Sequence, residues 1–123
     1  MTTTLLTDAD ILDAHGRRRG AWILLDGDRI AKVGSAVTPT PPAERQLSLP
    51  GRTLTPGFID LHGHGGGGAA YDNGEDEIRA ALAVHRAHGT TRSVISLVAN
   101  PLEQVEESLR LVARLASEDP TIV

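Results

Sequence analysis

The hydrophobic rhythm of the chain changes at Pro56, and that change constrains the fold more than any bulk property. Residues 1–56 read as short strands divided by turn chemistry. Ala21-Trp22-Ile23-Leu24-Leu25 is a β-type run, Asp26-Gly27-Asp28 makes a turn, and Arg29-Ile30-Ala31-Lys32-Val33-Gly34 alternates polar with apolar. Asp-Gly between two such runs is a hairpin signal, because the tight turn needs backbone that glycine adopts readily. Thr38-Pro39-Thr40-Pro41-Pro42 marks a loop, since proline has no N–H to give a sheet. Arg45-Gln46-Leu47-Ser48-Leu49 and Thr53-Leu54-Thr55 are further strand candidates. The expectation for 1–56 is a small sandwich-type β segment with Trp22 in its core. Arg17-Arg18-Arg19, between Gly16 and Gly20, reads as a solvated turn.

From residue 57 strand and helix patterns alternate. Phe58-Ile59-Asp60-Leu61 is a short strand, a glycine loop follows, and a helix is expected to start near Asn73 with Asp72 or Asn73 as its cap. Glu75, Asp76 and Glu77 fall in its first turn, where the helix dipole favours negative charge. Ile78, Ala81, Leu82 and His85 share one face, and Gly89 is a natural stop. Arg92–Val98 reads as the next strand. Asn100, Pro101 and Glu103 then form a capping signal for a second helix with an apolar stripe of Leu102, Val105, Leu109, Val112 and Ala116. Glu106 and Arg110 make a supporting pair on its outer face. Thr121-Ile122-Val123 opens a third strand. Two to three strand–helix units cannot close an eight-stranded barrel, so 57–123 is expected to be the start of an incomplete α/β barrel.

Several function classes are excluded at this level. A net charge of −4 with 12 scattered Lys and Arg leaves no basic footprint for nucleic acid. The absence of cysteine removes thiolate metal sites and disulfides. Residues 1–8 lack a basic region followed by an apolar run, and no segment reaches the length of a membrane span. A soluble cytoplasmic protein is expected.

The residues that can do chemistry lie in Pro56-Gly57-Phe58-Ile59-Asp60-Leu61-His62-Gly63-His64. On a strand, i and i+2 share a face, so His62 and His64 can converge on one ion. Neutral imidazole suits zinc, iron, cobalt or nickel. The pair alone is a weak signal in a chain with 5 histidines; its place at the end of a strand that runs into glycines is what raises it. The other candidates have plainer roles. Asp60 is expected to make a structural hydrogen bond, Gly65–Gly68 to be a flexible turn, and His85 to pack at an element boundary. His88 suits the end of a helix.

This nonapeptide resembles the first barrel strand of the amidohydrolase superfamily. Gly65-Gly66-Gly67-Gly68-Ala69-Ala70-Tyr71-Asp72 and His88-Gly89-Thr90-Thr91 are similar to the N-acetylglucosamine-6-phosphate deacetylase family, loosely before residue 50 and closely from Pro56. The resemblance implies a metal-dependent hydrolase of an amino-sugar phosphate acting in amino-sugar metabolism, with zinc or iron as the divalent cofactor and a homodimer as the assembly. His62 and His64 are the metal residues it carries over. The catalytic Glu, His and Asp of the family have no match and are expected beyond Val123, so the chain is expected to be inactive alone. Two other readings stay open: a fragment of an amidohydrolase acting on a cyclic amide or an N-acyl-D-amino acid, and a non-catalytic β-rich assembly module.

Overall fold

The structure, a computed structural model, describes residues 2–123. The chain divides into two compact units, Met1–Pro56 and Gly57–Val123.

The first unit is one sheet. Strands β1 (Thr3–Asp13) and β2 (Gly16–Asp26) form a long antiparallel hairpin, and β3 (Arg29–Gly34) pairs antiparallel with β2. β4 (Arg45–Ser48) and β5 (Thr53–Leu54) both lie parallel to β1, along its other edge. Two expectations are corrected here. The opening strand β1 is absent from the sequence reading, and Arg17–Arg19 is no solvated turn but the start of β2. The reason is charge pairing across the hairpin: Arg17 is hydrogen-bonded to Asp10 at 2.6 Å, and Arg18 to Asp13. Asp8 takes a left-handed φ of 62° where the β1–β2 register slips between Leu6 and Ala9. Its carboxylate there accepts the hydroxyls of Ser48 at 2.6 Å and Thr7 at 2.8 Å. Leu5, Trp22 and Leu24 form the core of this unit, with Ala43 of the proline-rich loop against them.

The second unit is built of strand–helix repeats. β6 (Phe58–Gly63) leads into a small hairpin of β7 (Gly65–Gly66) and β8 (Ala69–Ala70), then a 3-10 turn at Tyr71–Asn73 and helix α1 (Glu75–Ala87). β9 (Thr90–Ile95) returns parallel to β6, α2 spans Leu102–Glu118, and Ile122 makes a parallel bridge to Ser93. The core packs Tyr71, Ile78, Ala81 and Leu82 against Leu115 and Ile122. Fully burying a Leu or Ile side chain stabilises by about 1.5–3 kcal/mol, so Ile78 and Leu115, each 1% exposed, are principal holds on the two helices.

Both helix starts differ from the sequence expectation. Neither Asp72 nor Asn73 caps α1; Gly74, at φ 98°, takes that place. Asp72 is drawn elsewhere, as an acceptor for the Val98 N–H at 3.2 Å and the Asn100 amide at 3.3 Å. That contact also removes Asn100 as the cap of α2, where Pro101 stands instead with no side-chain cap bond. The strand expected to reach Val98 ends at Ile95, because its ladder with β6 ends at the Gly63–Ile95 pair. The expected stripe of α2 is covered only toward its C-terminal end: Val112 and Ala116 pack against the core beside the buried Leu115, whereas Leu102 is 75% exposed and Leu109 55%. Among the described residues no helix is long and apolar enough to cross a membrane.

Candidate metal centre

β6 carries an irregularity that shapes the site. Asp60 pairs with Ser93 and Gly63 with Ile95, so Leu61 and His62 together face the single residue Val94. A two-against-one bulge of this kind re-aims side chains next to the extra residue. Here the Asp60 carboxylate accepts the His62 backbone N–H at 3.2 Å, which is the structural bond expected of it. The His62 and His64 rings stand edge to face, with centroids 4.9 Å apart and planes at 88°. Both side chains are exposed. His62 Nδ1 lies 3.1 Å from the Ser96 hydroxyl.

The glycine run is an ordered hairpin, not the flexible turn expected of it. Gly65 pairs with Ala70 and Gly66 with Ala69, and Gly67 and Gly68 turn between them at φ 62° and 87°. Positive φ at both turn positions is what a tight hairpin needs and what glycine allows at low cost. The hairpin is tied down at two points. Tyr71 N–H donates to the His64 carbonyl at 2.9 Å, and His85 Nε2 lies 3.0 Å from the Gly65 carbonyl. His85 is thus engaged by backbone, and His88 Nδ1 likewise sits 2.8 Å from the Val84 carbonyl. A Cβ on Gly66 would come within 2.7 Å of the His85 ring, so glycine is needed there for close approach.

Behind the pair lies Tyr71, 1% exposed, whose hydroxyl has no hydrogen-bond partner among the described residues. Burial, and then the charge of Asp60, hold its phenol above the ordinary range. In front of His64 opens a hollow of about 610 Å³ walled by Asp72, Asn100, Gln104, Glu107 and Ser108. The Asp72 bonds described above join two of its walls. No group of three or more His, Cys, Asp or Glu side chains is placed to hold an ion among the described residues. The donor chemistry of His62 and His64 fits a divalent cation, to which the pair would offer two ligands.

Comparison with known proteins places this architecture. The crystal structure of N-acetyl-D-glucosamine-6-phosphate deacetylase from Mycobacterium smegmatis superposes with a TM-score of 0.83 at 36% identity, over 94% of this chain and 32% of that one. A mutant of the M. smegmatis enzyme in complex with N-acetyl-D-glucosamine-6-phosphate matches with a TM-score of 0.81 at 35% identity, over 96% of this chain and 30% of that one. The chain matches the N-terminal part of an amidohydrolase deacetylase. The Pasteurella multocida deacetylase, 24% identical with a TM-score of 0.76 over 94% of this chain and 31% of that one, shares the fold. No family model matches.

Among curated proteins, N-acyl-D-glutamate deacylase of Alcaligenes xylosoxydans xylosoxydans is 47% identical over 49 residues, which is 40% of this chain and 10% of that protein. Imidazolonepropionase of Salinispora arenicola is 30% identical over 93% of this chain and 37% of its own length. This deacetylase-like chain therefore spans about a third of the deacetylase chains and a tenth to a little over a third of these two curated proteins.

The sequence reading singled out His62, His64, Asp60 and the glycine run, and the structure brings all of them to one end of β6. It did not single out Ser96, and it named Tyr71 and Asp72 only within the family segment, with Asp72 as a helix cap. Pairing β6 with the following strand in parallel would have set Ser96 beside His62, whereas the burial of Tyr71 leaves no periodic mark in so short a turn.

Proposed function

We propose that this chain supplies the first metal-ligand pair of a metal-dependent deacetylase that hydrolyses N-acetylglucosamine 6-phosphate to glucosamine 6-phosphate and acetate. The observation that carries the reading is the edge-to-face His62–His64 pair, 4.9 Å apart at the end of the first barrel-type strand, in a chain 36% identical to the corresponding part of a deacetylase of that specificity. His62 and His64 would hold zinc or iron, with further ligands needed from beyond these residues. A divalent ion in such a site supplies Lewis-acid polarisation of an amide carbonyl and brings the pKa of its water to about 7. Catalytic zinc has three protein ligands as a rule, so the 123-residue chain is inactive by itself. The setting is cytoplasmic amino-sugar metabolism.

Metal content tests this directly. After equilibration with zinc, the chain should retain the ion while the His62→Ala/His64→Ala double variant should not. The role in catalysis is tested by replacing the matching part of the M. smegmatis deacetylase with this chain. The hybrid should turn over N-acetylglucosamine 6-phosphate and lose that activity with the double substitution. An active hybrid indifferent to both substitutions would end the metal-ligand reading.

A second reading keeps the chemistry and changes the substrate to an N-acyl-D-amino acid or a cyclic amide. It draws on the 47% identity to an N-acyl-D-glutamate deacylase and the 30% identity to an imidazolonepropionase. Coverage of 40% against 94% favours the amino sugar over the N-acyl-D-amino acid, and against imidazolonepropionase, which covers 93%, the higher identity of 36% over 30% does so.

We also propose self-association. Ile59 and Leu61 on β6 are 60% and 74% exposed, and Leu102 on α2 is 75% exposed. Apolar side chains gathered at a surface favour association. Light scattering of the purified chain should show a dimer or larger; a monodisperse monomer would count against it.

A further inference from the structure

One contact at the histidine pair bears on chemistry as well as on position. Ser96 Oγ lies 3.1 Å from His62 Nδ1. Ser96 is itself fixed, since its N–H donates to the Gly63 carbonyl at 3.0 Å, one step past the last pair of the β6–β9 ladder. His62 is held from the other side by Asp60, which accepts its backbone N–H at 3.2 Å. The imidazole is thus anchored through its backbone and at Nδ1, and neither contact engages Nε2.

A neutral imidazole carries one proton, on either nitrogen, and a metal takes the lone pair of the other. The direction of the Ser96 bond therefore decides whether His62 can ligate through Nε2. If the serine hydroxyl donates to Nδ1, the proton sits on Nε2 and blocks it. If Nδ1–H donates to the serine oxygen, Nε2 keeps its lone pair and faces outward.

We propose that Ser96 accepts a hydrogen bond from His62 Nδ1–H and so holds His62 in the tautomer that presents Nε2 to a divalent cation. Ser96 is a positioning residue for the candidate site, and the proposal rests on the metal reading given above. It also makes the two ligands unequal. His62 is set by Ser96 and by the bulge in β6. His64 takes its orientation from its edge-to-face contact with the His62 ring and from the hairpin that follows. A loss at Ser96 should consequently weaken the whole pair.

Two measurements test this. In the metal-free chain, at a pH where imidazoles are neutral, long-range proton–nitrogen NMR correlations of the His62 ring report which nitrogen is protonated. The Nδ1–H form is expected in the parent and in Ser96→Thr, which keeps the acceptor oxygen. In Ser96→Ala the ring should shift toward Nε2–H, the form that predominates in free histidine. Zinc affinity, read by competition with a chromophoric chelator, should fall about 10–100-fold in Ser96→Ala and recover in Ser96→Thr. Circular dichroism establishes that each variant is folded.

An Nε2–H ring in the parent overturns the proposal whether or not zinc binds, as does equal zinc affinity in the parent and Ser96→Ala. A parent ring that is Nδ1–H with no zinc binding at all sinks the metal reading and supports the tautomer assignment. The two failures are thereby told apart, and the tautomer is measurable even if Ser96→Ala does not fold.

Discussion

The two units of this chain cover their apolar side chains by different means. In Met1–Pro56 a single sheet does so with its own loop: Leu5, Trp22 and Leu24 lie beneath Ala43 of the proline-rich segment. In Gly57–Val123 the core is drawn from separate elements, with Tyr71 of the 3-10 turn, Ile78 and Leu82 of α1, Leu115 of α2 and Ile122 after it. Ile95 of β9 packs against that cluster, while Ile59 and Leu61 of β6 remain 60% and 74% exposed. Neither unit covers everything, since Ile30, Val37 and Leu47 of the first are 65%, 91% and 52% exposed. The contrast is a small core within one sheet against a larger one drawn from separate elements. The histidine pair stands at the end of the strand whose apolar residues lack cover, so the proposed ligands lie beside exposed apolar surface.

Truncating each core is the strongest way to break this contrast. Replacing a buried Leu by Ala costs about 2–5 kcal/mol, depending on how far the cavity relaxes. Leu115→Ala, at 1% exposure, should fall high in that range and Leu24→Ala, at 9%, lower. The molecule reports on its units separately, because the one tryptophan, Trp22, lies in the first and both α-helices lie in the second. Under urea, Leu115→Ala should shift the helical circular dichroism transition and reduce zinc retention while Trp22 emission holds. Leu24→Ala should do the reverse. A Leu24→Ala chain that loses zinc as readily as Leu115→Ala would show that the units do not act separately.

What could be read from the sequence follows the same division. Within the sheet, alternation and the Gly27-Asp28 turn located β3 without error, since the Asp26–Arg29 pair closes as a two-residue loop implies. The opening strand was hidden, because Thr7 is a polar residue on the buried face while Leu6 and Leu12 are apolar ones on the other. The Asp8 bulge within it depends on partners 40 residues away, such as Ser48. In the second unit both helices were legible from charge placement and spacing. Their caps were not, because Asp72 and Asn100 satisfy one another across 28 residues, and that is invisible to local rules. His62 and His64 were singled out by their spacing together with their place at the end of a strand, and Ser96 comes beside them only once it is known which strands are neighbours.

Glycine substitutions sharpen the contrast at smaller cost. A Cβ added at Gly34 would run into the Trp22 indole, and one at Gly57 into the Thr91 side chain. Trp22 is 8% exposed and its Nε1 donates to the Thr38 carbonyl at 3.1 Å, so it has nowhere to move. Thr91 is exposed, but its Cβ would lie 2.7 Å away, a contact that rotating the side chain does not relieve. Gly34→Ala should therefore cost about 1–3 kcal/mol, as overpacking does, with a shift in Trp22 emission. Gly57→Ala should cost less, about 1 kcal/mol, because the neighbour that must shift is an exposed threonine at the edge of its unit. Equal costs in urea denaturation would mean that the β layer yields as easily as the edge of the second unit.

The smallest effect separates the two units by acid. Asp119 accepts the Thr121 hydroxyl at 2.6 Å and its N–H at 3.0 Å, and pairs with Arg86. The Thr121 hydroxyl foremost, helped by the backbone N–H and the guanidinium, lowers its carboxyl from 3.8 to about 2. A group whose pKa is lowered by folding contributes stability that is complete above its unfolded value. For Asp119 that contribution is therefore present above 3.8 and disappears as pH falls through about 2. What it steadies is local: Thr121 and Val123 bond the backbone of Ser93 at 2.8 and 3.0 Å. In the β layer, Asp10 is also held low, first by Arg17 and then by the Gly20 N–H. It secures a hairpin already laddered along its length. Hydrogen exchange, corrected for intrinsic rates, should show the Ser93 and Val123 amides losing protection between pH 3.8 and about 2 while those of β1 and β2 persist. Asp119→Asn should show the weaker protection already at neutral pH. Unchanged protection of Val123 across that window would mean that the bridge holds without the carboxylate.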